Sequence, residues 1–443
     1  MSGRIDISMG FNPSGTTDSF HSKNGYRVYI LGHFSGHSSP SPEQRDIIKI
    51  DRDHFDVVLA GFSPSVEINT GTFLDFSAVE DFHPDVWLGK VPLIRDLLAL
   101  KSQLQNPDTA SQAAARIQTF LPAQVAGGST FSTQASESQE DMLQRLLGQK
   151  SEVTGVSKDT VQHLLQLSVA PHVRPSADPQ HLILIQLVDT VIGQLSRDIL
   201  HNPKFRKLEA LWRATEGLLQ EESADQQRIY LLDIDPSGWL TEMHHPDQIL
   251  RQKLIAHIRQ GDGDQAVLLI GDLIFSARTE DEALLSFCAE LAKSCGGWFL
   301  ATVDQTFVHG LPESQFFAAD RMMLAYPRYL QRLPYGKKRD PIETFSFEEC
   351  SGIPKFEELL WGNPAFLVAR AFLRASQVEP DTDPLFFEEI PVFSFTQNGE
   401  ATLQPGSEYV LSEAQAHDLY SKGILPLLAY HQRKGLRLLA LRD

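Results

Sequence analysis

Cysteine is scarce in this chain: three among 443 residues, Cys288, Cys295 and Cys350. Three thiols make neither a disulfide framework nor a zinc pattern. Cys288 and Cys295 stand seven apart, which puts them on one helix face with Leu284 and Leu291, and they read as small buried hydrophobes. Positive charge is also in deficit, with 39 Lys and Arg against 57 Asp and Glu and a net charge of −18. That removes sequence-neutral nucleic-acid binding, which rests on neutralising phosphates, and it opposes docking on anionic lipid. No uninterrupted apolar run approaches the ~18 residues of a membrane span. The N-terminal MSGRIDISMGFNPSG lacks the apolar core of a signal peptide. A cytoplasmic location is expected.

Catalytic constellations are missing too. Gly261-Asp262-Gly263-Asp264 lacks the Gly-Lys-Ser/Thr of a phosphate loop and precedes a strand, so it reads as a turn. Asp233 and Asp235 flank a strand end without the further ligands of a calcium loop. His33 and His37 have zinc-like HxxxH spacing, but HFSGH contains Gly36 and follows a strand, so a solvated loop is expected. His244-His245 lacks a third ligand. Gly271-Asp272 closes an apolar run, where a doubly wound enzyme would place a carboxylate, yet no partner stands at informative spacing. No cofactor or metal site is expected, and an α/β enzyme centred on Gly271-Asp272 is the competing reading.

What is present is an ordered alternation of strands and helices. Arg27–Leu31 reads as a buried strand, Ile47–Ile50 as a short one, and a helix starting at Asp51 carries Phe55, Val58 and Leu59. Val66–Ile68 and Phe73–Phe76 form a hairpin around Asn69-Thr70-Gly71-Thr72. Ile94, Leu97, Leu98 and Leu104 give an amphipathic helix. Residues 123–141 are rich in Ser, Gly and Gln and read as a linker. Met142, Leu143, Leu146 and Leu147 then mark a short apolar helix, either a satellite of the core or a recognition peptide. From His181 the pattern is regular: helix, the turn Asn202-Pro203, and a second helix whose apolar stripe is Phe205, Leu208 and Trp212, with Lys204, Arg206, Lys207 and Glu209 on other faces. Ala266–Ile270, Glu280–Cys295 and Trp298–Val303 make a βαβ crossover, hence a parallel pair. Strands follow near Val392–Phe395 and Tyr409–Leu411, and a helix covers Ser412–Tyr420. Lys337, Lys338 and Arg339 form a compact basic turn, a solvated turn or a contact for an acidic neighbour.

The wording of several segments resembles one family. VDTVIGQLSRDILHNPKFRKLEALWR, then VLLIGD, then Pro327-Arg328-x-Leu330-x-Arg332-x-Pro334-Tyr335-Gly336, then Trp361-Gly362-Asn363, and finally GILPLLAY resemble the large subunit of the type VI secretion contractile sheath, in family order. Upstream, Gly32-x-Phe34-x-Gly36, IDRDHFD, DFHPD and VPLIRDLLALKSQL resemble the small subunit, although that family commonly carries Asp where His33 stands.

The resemblance implies a fusion of small (TssB-like) and large (TssC-like) subunits. The implied fold is α/β, two sheath-type units with mixed sheets flanked by helices. The expected layout is an arm over 1–25, a small-subunit-like domain over 26–122, a linker with a short helix over 123–180, and a large-subunit-like domain over 181–443. It also implies a non-enzymatic structural role, as a sheath protomer or as a sheath-derived cap, baseplate-associated or assembly-regulating protein. The implied partners are sheath subunits, inner-tube or baseplate proteins, and an AAA+ unfoldase that would grip the Met142–Leu147 helix. Large subunits of the family continue past the segment matching GILPLLAY, so a missing C-terminal extension is expected.

Overall fold

The computed structural model describes residues 25–38, 41–69, 71–116, 179–221, 227–261, 265–311, 321–337, 339–350, 354–377, 383–397, 400–430 and 434–441. The proposed arm, most of the linker and the Met142–Leu147 helix lie outside them. In chain order the elements are β1 (Tyr26–Gly32), β2 (Ile48–Ile50), α1 (Phe55–Phe62), β3 (Ser65–Asn69), β4 (Thr72–Asp75), α2 (Pro84–Trp87), α3 (Pro92–Gln105), α4 (Pro179–Leu200), α5 (Pro203–Leu219) and β5 (Gln227–Asp233). Then come α6 (Pro236–His244), α7 (Ile249–Gln260), β6 (Ala266–Phe275), α8 (Thr279–Cys295), β7 (Trp298–Val303), α9 (Gln305–Gly310), β8 (Met322–Tyr326), β9 (Tyr329–Leu330) and β10 (Trp361–Gly362). The remainder is α10 (Ala365–Ser376), β11 (Phe386–Phe387), β12 (Phe393–Gln397), β13 (Glu400–Gln404), α11 (Glu413–Ser421), β14 (Ile424–Ala429) and β15 (Leu436–Leu438).

Two compact units result. The larger comprises residues 1–87 and 196–443, and the smaller residues 88–195. The smaller contains α3, whose Ile94, Leu97, Leu100 and Leu104 are buried, and α4 as far as Leu195. Lys101 Nζ and Asp189 Oδ1 pair at 2.6 Å within it.

The larger unit is built on a nine-stranded mixed sheet in the order β11-β15-β14-β8-β7-β6-β1-β5-β2. Its six central strands run parallel, and antiparallel pairs close both edges. The parallel strands are continuously apolar because helices cover both faces. On one face Leu285, Cys288, Leu291 and Cys295 of α8 join Leu269, Phe299 and Ala301 of the sheet in one core. β5 and β6 lie on opposite sides of β1, so the chain leaves β1 in both directions. β1 therefore marks a topological switch point.

Helix α5 lies across the carboxyl end of β1. Asn202 accepts from the Lys204 amide and Pro203 occupies the first turn, so the Asn-Pro pair caps the helix as its chemistry dictates. Trp212 is fully buried among Phe34, Phe55 and Phe62, with ring centroids 5.0, 5.9 and 5.7 Å away. Its Nε1 donates to the Phe34 carbonyl at 3.1 Å. Two turns earlier, Phe205 meets Phe76, Phe82 and Trp87. A Cβ at Gly32 would stand 2.9 Å from Leu211 Cδ2, so the absence of a side chain lets α5 approach the strand end.

Three expectations need correction. Tyr409–Leu411 is not a strand; β12 pairs with β13 in register to Gln397↔Glu400, while the Tyr409 ring stacks on Tyr326 at 5.9 Å. The β6 strand does not stop at Gly271-Asp272. It runs on to Phe275 through a register shift between Ile270 and Ile274, which absorbs the close approach of Gly271 to the Phe299 ring. Glu209, expected on a face apart from the apolar stripe, is fully buried beside it.

Replacing Trp212 with Ala should cost about 3–5 kcal/mol, from the lost ring volume and the orphaned Phe34 carbonyl. Trp212→Phe should cost about 1–2 kcal/mol, since it removes the hydrogen bond and part of the ring. Urea unfolding followed by far-UV circular dichroism would check the order of the two losses.

Candidate functional site

The motif segments converge on α5. Trp361 of β10 pairs with Leu330 of β9. Gln331 donates from Nε2 to the Ala210 carbonyl of α5 at 3.2 Å, and its amide donates to the Leu360 carbonyl. Asn363 donates from Nδ2 to the Gly271 carbonyl at 3.2 Å and accepts from the Ala365 amide at 2.9 Å, which caps α10 and holds the β6 irregularity together. Arg328 makes a bidentate pair with Glu408, both contacts at 2.8 Å.

Arg332 is the centre of a buried charge cluster. Its Nε donates to Glu209 Oε1 at 2.7 Å and its Nη1 to Glu349 Oε2 at 2.8 Å. Glu209 Oε1 also accepts from Arg213 Nε at 2.9 Å, one helical turn on. Glu349 Oε2 accepts from the Tyr335 amide at 2.8 Å, and the Arg332 guanidinium lies 4.1 Å from the centre of the Tyr335 ring. Burial by itself would raise the Glu209 carboxyl; the guanidiniums of Arg332 and Arg213 outweigh it and hold the group below the usual range. Burial likewise opposes the charge on Arg332, and the two carboxylates more than restore it. His201, at the end of α4, has Nε2 4.0 Å from Glu349 Oε1. Burial pushes it down to about 4, so it is neutral at pH 7, with Arg206, Arg197 and Arg332 acting in the same direction and Glu358 against. A second cluster ties α10 to the end of α5, through Arg370 and Arg374 to Glu221, both at 2.6 Å.

A cavity of about 900 Å³ opens at the carboxyl ends of β1, β5 and β6. Lys204, Lys207 and Leu208 of α5, Phe73 of β4 and Ile274 of β6 line it. Asp272 stands on its wall with Asn363 Nδ2 at 3.5 Å, and burial raises its carboxyl against the pull of Lys207 and His33. Sequence spacing gave Asp272 no partner; the fold brings these two within electrostatic reach. His33 donates from Nε2 to the His37 carbonyl at 2.6 Å, so the pair is a loop contact. Among the described residues no group of His, Cys, Asp and Glu is arranged to hold a metal ion.

Of the residues singled out from sequence, Met142, Leu143, Leu146, Leu147 and Lys338 lie outside the described residues. Lys337 is exposed, and its amide donates to Glu348 Oε1 at 3.2 Å. Arg339 turns onto its own chain, 4.6 Å from the Phe393 ring centre and with Nη2 donating to the Ser394 carbonyl at 3.3 Å. The charge cluster escaped sequence reasoning. Its one local signal was Glu209 standing among Leu208, Leu211 and Trp212, four residues before Arg213.

Residues 183–315 and 313–440 match the family model described as VipB (EvpB/VC_A0108, tail sheath N-terminal domain), which covers more than half of the chain. The chain belongs to the type VI secretion sheath family. Residues 4–126 match a second model, VipA of the type VI secretion system (VC_A0107 or Hcp2). The two sheath components thus follow one another in a single chain. The type VI secretion system sheath protein TssC1 of Pseudomonas aeruginosa is 24% identical over 290 residues, which is 55% of this chain and 57% of that protein. The chain therefore spans just over half the length of that relative. Among the described residues no helix is long and apolar enough to cross a membrane.

Two outcomes follow from the charge cluster. Arg332→Ala should cost about 3–5 kcal/mol by stranding Glu349 and leaving Glu209 with Arg213 alone, and the triple variant Glu209→Gln/Arg332→Met/Glu349→Gln should recover much of that loss in the same denaturation assay. His201 is 23% exposed and its native form is neutral, so the unfolded chain binds the extra proton between pH 6.5 and 4. Stability should fall as pH drops through that window, by at most about 3 kcal/mol from this group. His201→Gln should flatten this limb, leaving the loss below about pH 4.5 as the lowered Glu209 protonates, which urea midpoints from pH 7 to 4 would show.

Proposed function

We propose that this chain is a sheath protomer of a type VI secretion system, in which one polypeptide does the work of a small and a large subunit. Assembly with other sheath subunits is its activity, and catalysis is not. The observation that carries this reading is the position of β1. It comes from the segment matching the VipA model, yet it pairs in parallel with β5 and β6 of the segment matching the VipB model, over seven and six residue pairs. A strand buried between two others cannot leave without opening the sheet, so β1 and the strands on either side of it work as one sheet. The family motifs support the same reading, because they are spent on internal ties around α5.

On this proposal residues 26–122 form the small-subunit-like portion, 123–180 the connection and 181–443 the large-subunit-like portion, with a cytoplasmic location. An inner tube or baseplate protein is a further partner. Met142, Leu143, Leu146 and Leu147 offer an apolar grip for an AAA+ unfoldase, and Lys337, Lys338 and Arg339 a contact for an acidic neighbour. The competing enzyme reading rests on Asp272 beside the cavity.

Negative-stain microscopy of the purified chain should show long tubes. A persistent monomer or dimer that binds only the ends of a separate sheath would instead make it a cap or regulator. Asp272→Asn should leave assembly intact and change stability by less than about 1 kcal/mol, because the carboxylate is only half-buried on the cavity wall. Loss of assembly in a folded Asp272→Asn protein would make that carboxylate a functional group.

A further inference from the structure

His83 and Asp85 of the DFHPD segment lie in the part of the chain that matches the VipA model, and both reach into the part that matches VipB. Asp85 Oδ1 accepts from the Thr344 amide at 3.1 Å and from the Thr344 hydroxyl at 2.7 Å, and its Oδ2 accepts from the Glu343 amide at 2.9 Å. Burial by itself would raise the Asp85 carboxyl; these three bonds, with a smaller pull from His83, outweigh it and hold the group below the usual range. The His83 ring meets the Tyr335 ring edge-on, with centroids 4.9 Å apart, and its Nε2 stands 3.8 Å from Asp340 Oδ1. Residues 83–85 therefore hold both ends of the loop that follows the Pro334-Tyr335-Gly336 motif.

That loop carries the basic turn. The Gly336 amide donates to the Asp340 carbonyl at 2.9 Å and the Arg339 amide to the Gly336 carbonyl at 3.0 Å, which closes the turn. Beyond it Ile342, Phe345 and Phe347 are buried, while Glu343 and Thr344 between them form an exposed bend. The amides of such a bend have water as a competing partner, and Asp85 is the acceptor that fixes them. The charge of the turn nearly cancels, since Lys337, Lys338 and Arg339 stand in sequence with Asp340, Glu343 and Glu348. Arg339 is committed to the Phe393 ring and the Ser394 carbonyl. What a neighbour meets is set by where the exposed Lys337 is held, more than by net charge.

We propose that His83 and Asp85 are positioning residues that make the presentation of the basic turn conditional on the seating of the upstream segment. This names a regulation of the contact proposed for Lys337, and it rests on the reading of the chain as a protomer. A bend released from Asp85 samples many conformations, and any contact the turn makes then carries the added cost of ordering it. A chain whose upstream segment is unseated presents the competent turn only a fraction of the time, and its apparent affinity for an assembly falls by that fraction.

The test uses the full chain. Asp85→Ala should speed hydrogen exchange at the Glu343 and Thr344 amides by about tenfold or more, while the amides of β1 keep their protection. Lys337→Glu should weaken self-association about fivefold in the wild-type background, read by sedimentation velocity, and less than about twofold in the Asp85→Ala background. A merely structural loss of stability would not produce that non-additivity. Asp85→Asn, which keeps an acceptor for Thr344, should restore part of the sensitivity to Lys337→Glu. If Asp85→Ala disturbs the β1 amides, Thr344→Val removes one bond from an exposed side chain and supplies the same readouts. Unchanged exchange at residues 343 and 344, or an equal Lys337→Glu effect in both backgrounds, overturns the proposal and leaves the protomer reading standing. So does a wild-type chain that associates but ignores Lys337→Glu. A wild-type chain that stays monomeric at every concentration overturns both.

Discussion

The structure depends on the packing of α5 against the carboxyl end of β1. Trp212 fills the space among Phe34, Phe55 and Phe62, and Phe205 does the same among Phe76, Phe82 and Trp87. Every one of those six partners precedes residue 88. The helix that opens the sheath-like core is therefore also the surface on which the upstream segment folds. Burial of aromatic area is non-directional, and here the Trp212 hydrogen bond to the Phe34 carbonyl sets the direction.

The flank of the same face of α5 carries the other half of the constraint. Glu209 is buried one turn before Trp212, and a buried carboxylate is tolerable only when it is paired. Arg332 and Arg213 meet that condition, and Arg332 extends the pairing to Glu349. The arrangement is costly to break, because each partner left alone would be a charge in a medium that solvates it poorly. It ties the loop after β9 to the helix with directional bonds that a purely apolar contact would not have. The two arginines of that motif, Arg328 and Arg332, are explained by internal ion pairs with Glu408, Glu209 and Glu349.

A self-assembling protein must hold its own parts together more firmly than it holds its neighbours. The two kinds of contact look different here. The internal ties are buried aromatics and fully paired charges, little affected by salt. The cavity at the switch point has exposed Phe73 and Ile274, and its cations Lys204, Arg206, Lys207 and Arg328 share the wall with Glu67, Asp235, Asp272 and Glu357.

From the sequence come the order and type of the long elements up to β7, because periodicity, the Asn-Pro turn and apolar runs act over a few residues; the short strands β8, β9, β11, β13 and β15 were not assigned. It also identified Trp212 and Phe205 as core, and its motifs pointed to the sheath family. It could not say that β1 lies between β5 and β6. Strand neighbours are chosen by contacts about two hundred residues apart, and the apolar pattern of β1 suits any central position. It misread Tyr409–Leu411, whose apolar alternation serves packing on Tyr326 and not a ladder. It set Glu209 apart from the apolar stripe, since nothing local shows that Arg332 arrives from 123 residues away to pair it. The cavity has no sequence signature at all: its lysines, its hairpin and its irregular strand meet only when α5 settles on the sheet.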